Sequence, residues 1–349
     1  MSKNTDQPAL VDGVSILICC YNSAKKITPT LQHLARLLPT KTQWPVEVVL
    51  INNNSSDDTV AVANQVWDEL NTNLKLTCVE EPRPGHGNAL ECGYNAARYE
   101  LMVMCDDDNW LNENYLQLVE ARFLSNPDIG LLGGWGHAWL NDEPIPKWFE
   151  KYKVHYVCAK PVEQSGYYGH GQFSIWGAGS VLRKSAWRRL TAAGFSFINA
   201  RTSGKALGAD TELAIALNTS GFKLYFDDAL QFTHDLSGGR VTWDNLIEQA
   251  ALNGRCSAVT WLMLRVHANI HLSQQQCRQL IANEIGKFKY SQYYIELVLF
   301  VTKPFYPFDP IADIRRREKR NELLKRKTYY CDLIPGIYQW MKAIGQTKI

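Results

Sequence analysis

Four short strand-like runs in the first 105 residues, each leading into a polar loop and most of them separated by stretches of helical periodicity, constrain this chain most. They are VSILICC from Val14 to Cys20, Val46 to Ile51, Leu74 to Val79 and Leu101 to Cys105. The first and the last of these, apolar and bounded by turn residues, suit strands buried on both faces of a parallel sheet. After the first run, Ile27, Leu31, Leu34, Leu37 and Leu38 recur at helical spacing; after the second, Val60, Val62, Val66 and Leu70 do. A third helix is expected through Ala96. Alternation of this kind predicts an α/β fold, a doubly wound, mostly parallel sheet with helices on both faces and its ligand crevice at the carboxyl ends of the strands.

The fourth run ends in Asp106, Asp107 and Asp108. Carboxylates at that end of a strand stand where such sheets bind ligands. In an extended chain side chains two apart point the same way, so Asp106 and Asp108 are expected to share one divalent cation while Asp107 faces elsewhere. Hard ions such as Mg²⁺ or Mn²⁺ take oxygen ligands and commonly bind protein carboxylates together with substrate phosphates. A nucleoside diphosphate is the natural guest. The competing reading is a solvated acidic turn that merely ends a strand.

Composition narrows the classes. The chain has 349 residues, 46% of them hydrophobic, enough for a sizeable core, and a net charge of +2 that gives no global field for nucleic acid. No nucleic-acid-reading motif is present, and none is expected to act. Nine scattered cysteines, with no CxxC pair, suggest reduced, mostly buried thiols and a cytoplasmic location. The opening MSKNTDQPAL lacks an apolar signal core and reads as a loose arm. The apolar stretch from Tyr293 to Val301 contains Glu296 and is too short to span a bilayer, so no transmembrane helix is expected.

The glycines at 85, 87 and 93 do not form a GxGxxG fingerprint, because position 90 is Leu, and the chain has no GxxxxGK[ST] loop. Dehydrogenase and P-loop chemistries lose their support. Between 130 and 180 Gly and Trp are dense, including Gly133, Gly134, Trp135, Gly136, Trp139, Trp148 and Trp176. Such residues suit stacking on flat ligand faces, although core packing is the commoner use of tryptophan.

With these pieces in place the chain resembles the family 2 glycosyltransferases of GT-A fold, inverting enzymes that use nucleotide-sugar donors. The likeness runs over about residues 13 to 255 and rests on five strings in order: SILICCYN, INNNSSDDT, CDDDN, GADTEL and THDLSGGRVTW. The resemblance implies a nucleotide seated over Cys20, Tyr21 and Asn22, with Asn52 and Arg83 near the base and Asn54, Gly87, Asp106 and Asp107 completing the donor site. It implies Mg²⁺ or Mn²⁺ held by Asp106, Asp108 and His234, the last either as a ligand or as a phosphate contact. Asn52 stands where the family usually has an Asp that contacts the base; an amide both donates and accepts, so uracil or thymine could still bind, or another base be preferred. A UDP-sugar is favoured. Ala209 replaces the first acidic residue of the family's E-D motif and leaves Asp210 as the matched general base.

Inverting transfer needs one carboxylate to take the proton from the acceptor hydroxyl as that oxygen attacks opposite the leaving diphosphate. Asp210 is the candidate, with Glu212 as runner-up; without the resemblance Asp210 would read as a helix cap. Arg201, Lys205 and Arg240 are further phosphate-clamp candidates. The expected organisation is an arm over 1–12, a donor-binding half over 13–115, an acceptor and base half over 116–244, and a helical extension over 245–349. Aromatics at 304–308 followed by a basic run through Lys327 suit an anionic membrane surface, or else a solvated helix face. The expected partners are therefore a nucleotide-sugar donor, a saccharide or lipid-linked acceptor, and a membrane surface through 304–327. The competing functions are a non-catalytic nucleotide-sugar or glycan-binding module and a sugar-phosphate nucleotidyltransferase, though the latter's G-x-x-T-R-x-x-P type loop is missing after the first strand.

Overall fold

A computed structural model describes residues 11–38, 42–169, 172–199, 207–302 and 309–346. Its strands are β1 (Val11–Cys20), β2 (Val46–Asn52), β3 (Leu76–Glu80), β4 (Tyr99–Met104), β5 (Asn109–Leu111), β6 (Ile129–Trp139), β7 (Gly166–Tyr167), β8 (Val181–Arg183) and β9 (Lys223–Asp235). The helices are α1 (Ile27–Leu37), α2 (Thr59–Glu69), α3 (His86–Ala96), α4 (Tyr115–Ser125), α5 (Phe149–Tyr152), α6 (Lys184–Ala192), α7 (Ala209–Thr219), α8 (Trp243–Ala268), α9 (Gln274–Thr302), α10 (Pro310–Lys325) and α11 (Lys327–Gln346).

Among the described residues the strands form one sheet in the order β3-β2-β1-β4-β8-β6-β9-β5, with β7 added on β9. Its first half is parallel, as the buried apolar runs require. Cys20 pairs with Asn52 and Asn52 with Glu80, so three loops leave the sheet side by side at its carboxyl edge. The second half is mixed: β8 runs antiparallel to β4 and β6, β6 and β9 are parallel, and β5 is antiparallel to β9.

Helices cover both faces. On one, α1 inserts Ile27, Leu31, Leu34 and Leu37, all essentially inaccessible, into a core with Ile16, Ile18, Val48 and Leu50. Each such side chain contributes about 1.5–3 kcal/mol by leaving water. On the other face Leu17, Val49 and Met102 share a core with Leu213 and Leu217 of α7, and that core continues into Leu262 of α8, Ile281 of α9 and Ile337 of α11. The carboxyl-terminal helices are thus built onto the sheet through α7. No described helix is long and apolar enough to cross a membrane. All nine cysteines are free.

The glycines of the Gly- and Trp-rich stretch are packing devices, whereas its tryptophans at 135, 148 and 176 are only half-buried and Trp139 is exposed. Gly133, Gly134 and Gly136 lie in β6, where a Cβ at 134 would stand 1.7 Å from the Leu230 carbonyl oxygen and one at 136 would stand 2.7 Å from the Phe232 ring. These glycines let β6 lie against β9 through the register shift between Gly133 and Trp135. Gly134→Ala is therefore expected to cost at least about 3 kcal/mol, because backbone rather than a yielding side chain occupies the space. An unfolding midpoint in urea close to wild type would refute that packing account.

Candidate functional site

The three aligned loops form one wall of the crevice. After β1, Asn22 adopts a left-handed φ of 51° and accepts from the Ser56 N–H (2.8 Å), while its own N–H donates to Ser55 Oγ (3.0 Å). The Ser23 N–H donates to Thr59 Oγ1 (2.7 Å), tying the same loop to the start of α2. In the second loop Asn52 donates through Nδ2 to Glu80 (2.8 Å) and accepts from the Ser55 N–H (3.3 Å), so its amide helps to set the turn. Asn53 reaches across to the third loop, donating to the carbonyls of Glu81 (3.2 Å) and Arg83 (2.7 Å) and accepting from the Gly85 N–H (3.0 Å). Gly85, at φ 122°, turns the chain into α3, which starts with His86 and the buried Gly87.

Tyr21 is 60% exposed on this wall, whereas Cys20 is buried beneath it. Asn54 is exposed in a left-handed bend (φ 57°). Arg83 is also exposed, but its guanidinium is held by Glu81 through Nε (2.8 Å) and Nη2 (2.7 Å). Arg201 and Lys205 lie outside the described residues, as do 304–308.

The aspartate triplet does not continue β4. The strand stops at Met104 and residues 105–108 turn into β5, so the alternation expected of an extended chain does not set the side-chain directions. Local partners set them instead. Asp107 faces inward to Ser23 Oγ and the Lys26 ammonium (2.9 Å), and its carbonyl accepts from Thr30 Oγ1 (2.8 Å). Asp106 accepts from Asn109 Nδ2 (2.9 Å). Burial and the neighbouring Asp108 charge push the Asp106 carboxyl up to about 6.

Asp108 meets residues that are distant in sequence. Because Asn109 pairs with His234 in the β5–β9 ladder, His234 Nε2 comes to 3.6 Å from Asp108, and Arg240 Nη1 donates to the other Asp108 oxygen at 2.5 Å. Burial opposes the Asp108 charge, but His234, Arg240 and Lys26 outweigh it and hold the carboxyl well below the usual range. Nδ1 of His234 lies 2.8 Å from the Tyr156 carbonyl, which can only accept, so Nδ1 carries a proton and Nε2 faces the carboxylates. Burial works against a charged imidazole here, yet Asp108 and Cys158 raise it to about 10. Among the described residues no three acidic, histidine or cysteine side chains enclose a cation by themselves.

Asp210 lies in the first turn of α7, after an N-cap Gly208 at φ 94°, near enough to His86 for its charge to act there. The helix cap is thus a glycine and not Asp210. Burial raises the Asp210 carboxyl above its ordinary value, although the N–H groups of Thr211 (2.7 Å from Oδ1) and Gly177 act the other way. Glu212 has no access to solvent, and its carboxylate takes the N–H groups of Ile198 (2.7 Å) and Asn199 (3.0 Å). That side chain pins a loop and is unavailable to an acceptor.

Two groups that sequence reasoning passed over belong to the crevice. Lys26 is the counter-ion of Asp107. His86 is open to solvent yet surrounded by protein, a combination found on the wall of a recess; burial lowers its basicity while the charges of Asp210 and Asp107 oppose that. Both lie at β-to-α junctions on the carboxyl edge, a position that could have flagged them.

Residues 15–175 match the family described as glycosyl transferase family 2, and residues 101–251 match glycosyl transferase family group 2. A poly-beta-1,6-N-acetyl-D-glucosamine synthase of Staphylococcus epidermidis is 31% identical over 126 residues, 36% of this chain and 28% of that protein. The enzyme of the same name from Staphylococcus aureus is 27% identical over 124 residues, 36% of this chain and 28% of that protein. The chain thus matches under a third of the length of these curated relatives. Among solved structures, a mannosyltransferase from Pyrobaculum calidifontis, in complex with GDP-Man and Mn²⁺, superposes with a TM-score of 0.51 at 17% identity over 98% of this chain and 91% of that one, a likeness of fold. Over residues 15–251 the chain is thus similar to the glycosyl transferases of family 2, and its sheet order together with this likeness of fold gives it the GT-A fold.

Proposed function

We propose that the chain moves a sugar, with inversion, from a nucleotide diphosphate sugar to a hydroxyl of a saccharide or lipid-linked acceptor. The observation that carries this reading is the convergence of two acidic groups on one recess: Asp106–Asp108 at the end of β4 and Asp210 at the start of α7, with His86 in the field of both. Residues 13–115 then serve the donor, 116–244 the acceptor and base, and 245–349 form the helical extension. The name of the curated relatives favours an N-acetylhexosaminyl donor.

Asp210 accepts the acceptor proton, and its raised carboxyl makes it a stronger base than an exposed aspartate. The nucleoside lies over Cys20, Tyr21 and Asn22, with Asn52 and Arg83 near the base and Asn54 and Gly87 completing the donor site. Asp106 and Asp108, with His234, would hold Mg²⁺ or Mn²⁺: the donor set is oxygen-rich with one imidazole, and the guanidinium on Asp108 already stands in for a cation. The bound ion would neutralise the departing diphosphate. Asp107 keeps the triplet in place through Lys26 and Thr30. Contact of residues 304–327 with an anionic membrane belongs to this proposal, although Arg316, Arg317 and Arg326 in that segment already pair with Asp313 and Glu322.

Thermal unfolding with UDP, dTDP, GDP and CDP, each with and without Mn²⁺, tests the donor site. One nucleotide with metal should stabilise the protein, by about 2.7 kcal/mol when present at a hundred times its dissociation constant. Unfolding curves that stay superimposed for all four nucleotides would remove the donor site and the reading with it.

A further inference from the structure

The Asp108–Arg240 contact has a feature that a simple structural ion pair does not require. Nη1 of Arg240 makes both described hydrogen bonds, to Asp108 Oδ2 at 2.5 Å and to the Asp235 carbonyl at 2.8 Å, while Nε and Nη2 have none among the described residues. The side chain is 40% exposed, so the idle side of the fork is open to a ligand. A planar guanidinium fork matches two phosphate oxygens, as a lysine ammonium does not.

Its backbone, by contrast, is fixed. Asn245 Nδ2 donates to the Arg240 carbonyl at 2.5 Å from the first turn of α8, and Glu143 accepts from the N–H groups of Gly238 (2.7 Å) and Gly239 (3.2 Å). Both glycines are left-handed, at φ 76° and 74°, which brings the chain sharply round from β9 to α8. The guanidinium can swing while its anchor stays at the crevice. A divalent cation at Asp108 would compete for the oxygen that Arg240 holds and would repel the guanidinium. The diphosphate arriving with the cation supplies the nearest new negative charge.

We propose that Arg240 is the resident counter-ion of the acidic crevice, seated on Asp108 until a divalent cation takes that carboxylate and then re-seated on a diphosphate oxygen of the bound nucleotide. The inference deepens the donor-site reading above and rests on it. It gives the chain a crevice that is charge-compensated before loading and a second cation for the leaving group after it.

Titration calorimetry on the full chain separates the two roles, using Mn²⁺ alone and then, at saturating Mn²⁺, whichever of UDP, dTDP, GDP and CDP binds the wild type. Arg240→Ala should bind Mn²⁺ alone about tenfold more tightly and the nucleotide about tenfold more weakly, each equivalent to one charge-assisted hydrogen bond gained or lost. Arg240→Lys should keep the weak metal binding but recover only part of the nucleotide affinity. Equal Mn²⁺ affinity in wild type and Arg240→Ala overturns the counter-ion role, and equal nucleotide affinity overturns the re-seating. Nucleotide binding that needs Arg240 but is indifferent to Mn²⁺ also overturns the exchange, since Arg240 would then act in place of the metal. A wild type that binds neither Mn²⁺ nor any nucleotide defeats the donor-site reading itself, and this inference with it.

Discussion

Asp210→Asn is expected to lower sugar transfer about 10²–10⁴-fold, the range set by losing a positioned proton acceptor, while nucleotide affinity changes little. The amide is nearly isosteric and can still accept from the Thr211 and Gly177 N–H groups, so α7 should remain in place. The acid limb of the pH–rate profile supplies a second readout. Burial raises the Asp210 carboxyl, so the wild-type rate should rise with pH as that group loses its proton, from a point above the ordinary carboxylate range. In Asp210→Asn that limb should vanish. Glu212→Gln is the informative control: Glu212 is sealed from solvent and holds the N–H groups of Ile198 and Asn199, so stability should fall more than turnover per folded molecule. Full activity in Asp210→Asn would transfer the base role elsewhere.

The second large effect is expected from replacing Asp106 and Asp108 together by Asn. Loss of the carboxylates removes the cation site and should lower transfer at least about 10³-fold, because several kcal/mol of charge stabilisation at the leaving diphosphate disappears. The same variant should lose the Mn²⁺-dependent part of any nucleotide-induced thermal shift. Asp107 offers a contrast within the same triplet. Its partners are Ser23, Lys26 and Thr30, so Asp107→Asn should weaken the α1 junction and leave a metal response in the protein that remains folded. Undiminished Mn²⁺ dependence in the double variant would show that the ion, if used, binds elsewhere.

Periodicity located the parallel half of the sheet because each buried strand there is a contiguous run. Runs covered on both faces are largely apolar, as in β1 and β4, whereas β3 at the end of the sheet is only partly buried, and the covering helices show one apolar stripe, as Ile27, Leu31, Leu34 and Leu37 do. Strand β6 was not legible in the same way: its glycines resemble part of a binding surface until the nearness of Leu230 and Phe232 explains the missing side chains. The motif strings led to the acidic triplet, Asp210 and His234, but motif position did not foretell which oxygen faces which neighbour. Expecting strand alternation at 106–108 failed because β4 ends at Met104 and hydrogen bonds from Ser23, Asn109 and Arg240 direct the carboxylates.

By itself, then, the sequence determined an α/β sheet with polar loops at its carboxyl edge and carboxylates among them, since strand burial, helix amphipathicity and turn chemistry are written in neighbouring residues. Tertiary structure alone decided that Asp108 would meet His234 and Arg240, that His86 would lie near Asp210, and that Glu212 would be sealed away. Those outcomes depend on the pairing of β5 with β9 and on the seating of α7 against the sheet, contacts between segments far apart in the chain. Local propensity does not encode such pairings; they are chosen by the simultaneous burial of many distant side chains.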